Sequence, residues 1–334
     1  MKGKQAIGIV VACVMFILVG MSSYVTRQMA AEVAGDTSIV NLFASSLENN
    51  VTLPTDPFIG VVRVEGTITD TGSSSVFDTV SYDHKATLDY INKMMNSDTN
   101  EGILLYVNSP GGTVYHSDEL YLKLKEYKEQ TGRPVWTYMA DQACSGGYYI
   151  SMASDHIGMN RNGWTGSIGV IVSLTNYSEL YKKLGVKEID ITSGANKSMG
   201  SSGLPLTEEQ REIFQGIVDE SYEQFVGIVS EGRNMPLAKT KKLADGRIYT
   251  AKQALENGLI DEVVTTYKDY EKEFRKEVGG GVTFYEPSFG TDNIFASLFS
   301  EVKDLKSKSE AEVLSEFIEE KGSGVPMYYA KTGK

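Results

Sequence analysis

Three short runs in this chain are apolar on both faces of an extended backbone. They are Phe58 to Val64 (FIGVVRV), Gly102 to Val107 (GILLYV) and Pro134 to Met139 (PVWTYM). A strand with one face in water alternates apolar and polar residues. These runs do not, so they must be covered on both sides, as strands of a parallel sheet are. The segments between them have helical spacing. Asp83 to Asp98 places Leu88, Ile91, Met94 and Met95 on one face, and Ser117 to Glu129 reads as an amphipathic helix. Gly146 to Ala153 reads as a short apolar helix, His156 to Met159 as a fourth strand and Lys187 to Thr192 (KEIDIT) as a fifth. Strands and helices alternating at this length predict an α/β fold, with a mostly parallel sheet flanked by helices on both sides.

Beyond Thr207 the pattern changes. Thr207-Glu208-Glu209-Gln210 starts a long helix, with Phe214, Ile217, Val218, Phe225 and Val229 along one face. Gly246 to Thr250 (GRIYT) turns into a helix that ends at Gly258, and no internal repeat occurs. With 41% hydrophobic residues, 33 Gly and 8 Pro, the composition is globular and excludes a disordered or collagenous chain. A net charge of -12 repels phosphate backbones and argues against nucleic acid as a partner. Cys13 and Cys144 form no disulfide framework. His84, His116 and His156 lack the H-x-x-x-H spacing of a zinc enzyme.

Lys2 and Lys4 precede an uncharged stretch from Gln5 to Thr26, closed by Arg27. That length suffices to cross the ~30 Å hydrocarbon layer as one helix. It shows no polar face, and Gly20 and Ser22 make a poor cleavage site, so the stretch reads as an uncleaved anchor. The positive flank keeps the N-terminus in the cytoplasm and places the rest of the chain outside the cell membrane, in a single-pass topology. The expected organisation is a cytoplasmic stub and transmembrane anchor over 1–27, a linker over 28–57, the main domain over 58–300, and a charged segment with a flexible tail over 301–334.

Two loops stand out chemically. Asn108-Ser109-Pro110-Gly111-Gly112 follows a buried strand, and its paired glycines let a substrate approach the main chain and its free N–H groups. Cys144-Ser145-Gly146-Gly147 follows the next strand and opens an apolar helix, where a nucleophile would be exposed. The residues alone leave the nucleophile open between Ser145 and Cys144. They also leave the base open among His84, His116, His156 and Lys197. Lys197 lies in Ser193-Gly194-Ala195-Asn196-Lys197-Ser198-Met199-Gly200, with no acidic residue between Thr192 and Leu206. Desolvation there would neutralise it and make it a base.

Taken in order, six motifs resemble the bacterial signal peptide peptidase A family, in its short single-domain Gram-positive form. They are Asn108 to Gly112, Cys144 to Tyr149, Gly163 to Gly169 (GWTGSIG), Ser193 to Lys197, Gly246 to Thr250 and Gly258 to Asp261. The resemblance covers about residues 58 to 265. It implies a serine–lysine membrane peptidase with a Clp-protease/crotonase-like core. On it, Ser145 is the nucleophile, Lys197 the general base and Ser167 the residue that orients the lysine. The N–H groups of Gly112 and Gly146 form the oxyanion hole, and no cofactor is needed. The implied substrates are remnant signal peptides and other apolar peptides. The implied assembly is a ring-like homo-oligomer larger than a dimer. A crotonase-type acyl-CoA enzyme, a Ser–His–Asp Clp-type peptidase and a non-catalytic membrane scaffold are the competing readings.

The last thirty residues carry one more signal. After Gly322-Ser323-Gly324 comes the uncharged Val325-Pro326-Met327-Tyr328-Tyr329-Ala330. Extended apolar peptides suit a protease groove. The tail is expected to enter such a groove and to be trimmed near Tyr328, Tyr329 and Ala330.

Overall fold

Strand Phe58–Glu65 (β1) shows why the apolar runs must be covered twice. Ile59 and Val61 lie on one face, packed in a cluster with Leu104, Tyr270 and Phe274. Gly60 points the other way, where a Cβ would stand 2.0 Å from Met94 Sδ. That residue belongs to helix His84–Met95 (α1). Successive side chains of a strand alternate faces, so β1 is covered on both sides from Phe58 to Val62, while Arg63 and Glu65 are only half-buried. The computed structural model describes residues 51–70 and 82–287, together with the backbone of Met327–Tyr329. From Leu53 onward these belong to one compact unit.

Strands Asn100–Ser109 (β2) and Val135–Cys144 (β4) run parallel to β1 and to each other. The short strand Gly111–Thr113 (β3) follows β2 directly and leads into helix Val114–Thr131 (α2). Beyond β4 the sheet forks. The first half of β4 pairs with His156–Asn160 (β5), which pairs with Glu262–Val264 (β8). The end of β4 pairs with Trp164–Gly166 (β6), which pairs antiparallel with Ile248–Thr250 (β7). Thr283–Tyr285 (β9) closes the other edge against β1. The eight-stranded sheet is parallel throughout, apart from the β6–β7 pair.

Helix Tyr267–Glu277 (α8) covers one face through Tyr270 and Phe274, with Trp136 stacked on Phe274 at 4.9 Å between ring centroids. The short helix Gly146–Ser151 (α3) is buried in full between the sheet and its neighbours. The remaining helices are Ser178–Leu184 (α4), Glu208–Gly232 (α5), Leu237–Leu243 (α6) and Ala251–Asn257 (α7). The expected start of α5 is a full capping box. Thr207 Oγ1 accepts from Gln210 N–H, and Gln210 Oε1 accepts from Thr207 N–H.

Two expectations fail, and for one reason. Lys187 to Thr192 forms no strand, and Ile189 and Ile191 are 72% and 98% exposed. No residue between Gly169 and Glu209 is buried. On α5 the buried apolar side chains are Phe225, Val226 and Val229 of the C-terminal half, while Phe214 is only half-buried near Gly200 and Ile217 is exposed. Within the single chain this segment has apolar residues but no described element to bury them against. The anchor over 1–27, most of the linker, and the tail apart from residues 327–329 lie outside the described residues. Among the described residues no helix is long and apolar enough to cross a membrane.

One ion pair ties three distant segments together. Arg233, after α5, donates to both Asp261 carboxylate oxygens at 3.0 and 2.6 Å and to the Gly258 carbonyl at 2.9 Å. The same carboxylate accepts from the Ile157 N–H of β5 at 2.8 Å. Burial works against the charge on Asp261. The hydrogen bonds and charge of Arg233 outweigh it and hold the carboxyl below its usual range. A carboxyl that is more acidic folded than unfolded adds stability above the unfolded value, about pH 4, and loses it as pH falls further. Asp261→Asn should therefore cost about 2 kcal/mol at pH 7 and shrink that difference below about pH 4, read by chemical denaturation at the two pH values.

Candidate active site

Ser145 closes β4 and caps α3, with φ 53° and ψ -116°. Positive φ in a residue other than glycine is strained and persists only when the surroundings enforce it. Here its N–H donates to the Gly166 carbonyl at 2.8 Å, and its carbonyl accepts from Tyr149 N–H at 2.9 Å. The side chain is 1% exposed, and among the described residues its Oγ has no hydrogen-bond partner. A buried hydroxyl at a strained turn with no partner is costly.

Ser167 repeats the conformation, with φ 50°, one residue after the glycine that holds Ser145. Its N–H donates to the Arg247 carbonyl at 2.7 Å, and Gly246 N–H donates to the Ile168 carbonyl at 3.1 Å. The 163–169 and 246–250 motifs are thus one unit, joined across β6 and β7, that seats Ser167 beside the nucleophile's backbone.

The first glycine loop meets the second. Ser109 Oγ donates to the Gly66 carbonyl at 2.6 Å and accepts from Gly111 N–H at 3.1 Å, which fixes the turn into β3. On one edge of β3, Ile68 N–H donates to the Gly111 carbonyl and Thr113 N–H to the Ile68 carbonyl. Backbone groups alternate along a strand, so Gly112 N–H faces the opposite edge. A Cβ on Gly112 would stand 1.9 Å from the Ile68 carbonyl oxygen, so glycine is required there. A Cβ on Gly146 would lie 3.1 Å from Gly112 N, which places the two proposed oxyanion donors side by side next to Ser145. On β3, Met327–Tyr329 (β10) runs antiparallel, with Tyr328 opposite Gly112 and Tyr329 opposite Gly111.

The other residues considered as chemistry fall elsewhere. Lys197 is exposed, and the single chain does not join it to Ser145 Oγ. The dry environment expected for it is therefore not supplied within one chain. His84 is buried, hydrogen-bonded to Tyr82 at 2.6 Å and to Glu119 at 2.8 Å. His116 bonds Thr113 Oγ1 at 2.6 Å, and burial, helped by nearby His84, lowers its pKa. His156 pairs with Glu262 at 3.0 Å. None of the three reaches Ser145 Oγ. Among the described residues no group of side chains could hold a metal ion. The roles of Ser109 and the burial of His84 had no signal in the sequence, because both depend on contacts with residues far along the chain.

The comparisons fit this arrangement. The Clp protease family pattern matches residues 72–160 and the Peptidase family S49 pattern matches residues 127–279. Residues 127–279 of the chain are thus similar to peptidase family S49. The fold around it is Clp-protease-like. It is 43% identical over 202 residues to "Putative signal peptide peptidase SppA" of Enterococcus faecium, covering 60% of this chain and 58% of that one. It is 35% identical over 207 residues to "Protease 4" of Haemophilus influenzae, covering 61% and 32%. It is 31% identical over 204 residues to "Serine protease SPPA, chloroplastic" of Arabidopsis thaliana, covering 61% and 29%. The chain thus spans less than two-thirds of the length of these relatives.

Cys144 adjoins Ser145 but is not activated. It is buried, and burial pushes its thiol up to about 12, so it stays protonated at neutral pH. Cys144→Ala should retain most of the peptidase activity, measured by peptide hydrolysis. Alkylation of Cys144 by iodoacetamide at pH 8 should run at least ~10²-fold slower than for an exposed cysteine, followed by mass spectrometry.

Proposed function

We propose that this chain is a membrane-anchored serine endopeptidase that cuts apolar peptides, remnant signal peptides among them. Ser145 is its nucleophile, Lys197 its general base and Ser167 the residue that orients the lysine. The observation that carries this reading is Ser145 Oγ. It is buried, strained and without a partner beside the paired glycines 112 and 146. The family S49 match and the peptidase names of the relatives support the same chemistry. The uncharged stretch from Gln5 to Thr26, with its positive flank, supports the anchor and a catalytic domain on the outer side of the cell membrane.

The exposure of Lys197 supports a second part of the proposal. The base comes from a neighbouring copy, in a ring-like homo-oligomer larger than a dimer. Ile171, Leu184, Val186, Ile189 and Ile191 are exposed on the same segment, an apolar patch of the kind that marks an interface. Covering that segment would take Lys197 out of water and disfavour its charge.

In the reaction, neutral Lys197 Nζ takes the Ser145 hydroxyl proton as Oγ attacks the peptide carbonyl carbon. Gly112 N–H and Gly146 N–H hold the oxygen as it becomes negative. Nζ then passes the proton to the departing amine, leaving the peptide's acyl group on Oγ. Water attacks that ester with Nζ again as base, and Ser145 is restored.

Inactive variants can test the shared site. Ser145→Ala and Lys197→Ala should each reduce hydrolysis to background while remaining folded. Co-expressed in one membrane, they should recover part of the wild-type rate, because some sites then pair an intact serine with an intact lysine. An active, folded Lys197→Ala protein refutes the lysine.

The β10 pairing supports a mode of substrate binding. An extended peptide adds a strand to β3, so its main chain is aligned with Gly112 N–H. The chain's own tail would occupy that edge at high effective concentration and be cut near Tyr328 to Ala330. Intact mass after long incubation should show the active protein shortened and Lys197→Ala at full length. Tails lost equally from both proteins would point to another protease.

A further inference from the structure

Two buried hydroxyls without partners lie against the same short stretch of chain. One is Ser145 Oγ. The other is Ser117 Oγ, on the second turn of α2, fully buried and without a hydrogen-bond partner among the described residues. A serine inside a helix ordinarily bonds back to the carbonyl four residues earlier. Ser117 does not, although Thr113 precedes it by that spacing. Its oxygen is turned toward the site instead. A Cβ built on Gly146 would stand 2.4 Å from Ser117 Oγ and 3.1 Å from Gly112 N. The small space beside Gly146 is therefore bounded by the Ser117 hydroxyl and by one of the two oxyanion amides.

We infer that Ser117 Oγ–H is a third donor to the oxyanion, beside Gly112 N–H and Gly146 N–H. This rests on the peptidase reading given above. A donor that is unsatisfied in the free site and satisfied when a carbonyl oxygen becomes negative stabilises the transition state more than the ground state. Only such differential interactions raise kcat. The same geometry gives Gly146 its reason. Any side chain there would displace the hydroxyl from the amides.

Full-length wild type, Ser117→Ala, Ser117→Cys and Ser145→Ala would be compared. Labelling of wild type by a fluorophosphonate at Ser145, absent in Ser145→Ala, tests the underlying peptidase reading by itself. If wild type is not labelled, that reading falls and the role of Ser117 falls with it. With labelling in hand, Ser117→Ala should lower kcat by ~10²-fold while KM changes by less than about threefold. Ser117→Cys puts a slightly larger, weakly donating thiol there, and should lose nearly as much. A peptide boronate, which places a negative tetrahedral centre on Ser145, should bind both variants more weakly by a similar factor. The pH profile should keep its shape, since the base is untouched. The melting temperature should hold or rise, because an unpaired buried polar group has been removed. A kcat within about twofold of wild type overturns the inference. So does a lower melting temperature, failure of both variants to fold, or a shifted pH profile, each of which marks a structural role.

Discussion

The parallel pairing of β2 with β4 is the constraint on which the site depends. Val107 lies opposite Met139 and Ser109 opposite Ala143, with a slip in register between them. Parallel neighbours end on the same side of the sheet. The loop after β2 and the loop after β4 are therefore delivered to one place, whatever their sequences. What the sequences add is glycine where the two backbones approach. Gly112 lies against the Ile68 carbonyl and Gly146 against Ser117 and Gly112. An antiparallel pairing would put these loops at opposite ends of the sheet, and no choice of residues could recover the site.

The strands of this sheet were legible because burial on both faces leaves no room for polar alternation. Phe58–Glu65 and Asn100–Ser109 were found within two residues of their ends, while Val135–Cys144 runs five residues past Met139 into what was read as a loop. The loops holding Ser145, Gly112 and Gly146 stood out as paired glycines after buried strands, their roles came only from the family resemblance, and the structure brings them side by side. The segment from Gly169 to Glu209 misled, because apolar residues at Ile189 and Ile191 were read as burial within the chain. Period and hydrophobicity say that a residue is to be covered, and they do not say by which molecule. Helix α4 carries no buried residue and had no periodic signal to read. Ser117 was passed over because a serine on a helix ordinarily needs no explanation, and only its missing partner makes it informative.

The site holds several costs at once. A non-glycine residue at positive φ costs on the order of 1–3 kcal/mol, and both Ser145 and Ser167 are of this kind. A buried hydroxyl without a partner costs a similar amount, and Ser145 and Ser117 each leave one. These are large fractions of the stability of a domain. They persist because the backbone on every side is already committed. Cys144 pairs with Gly166 across β4 and β6, and Ser145 N–H is held by the Gly166 carbonyl. Ser167 N–H is held by Arg247, and the turn before Gly111 by Ser109 Oγ. Releasing the strain at one serine would break hydrogen bonds that are part of the sheet itself.

On the proposed reading, the separation of Ser145 from an exposed Lys197 would follow from what a lysine needs to become a base. In water an ammonium group is charged and cannot take a proton. Losing that charge near neutral pH requires removal from water into surroundings without an acidic partner. The stretch from Ser193 to Leu206 provides the second condition, having no acidic residue. It fails the first, because in one chain Lys197 faces solvent. The apolar residues beside it would be covered by the same contact that dries the lysine. On the proposed reading, such a chain would hold its hydroxyl and oxyanion donors before assembly and gain its base only on assembly, so that association and activation would be one event.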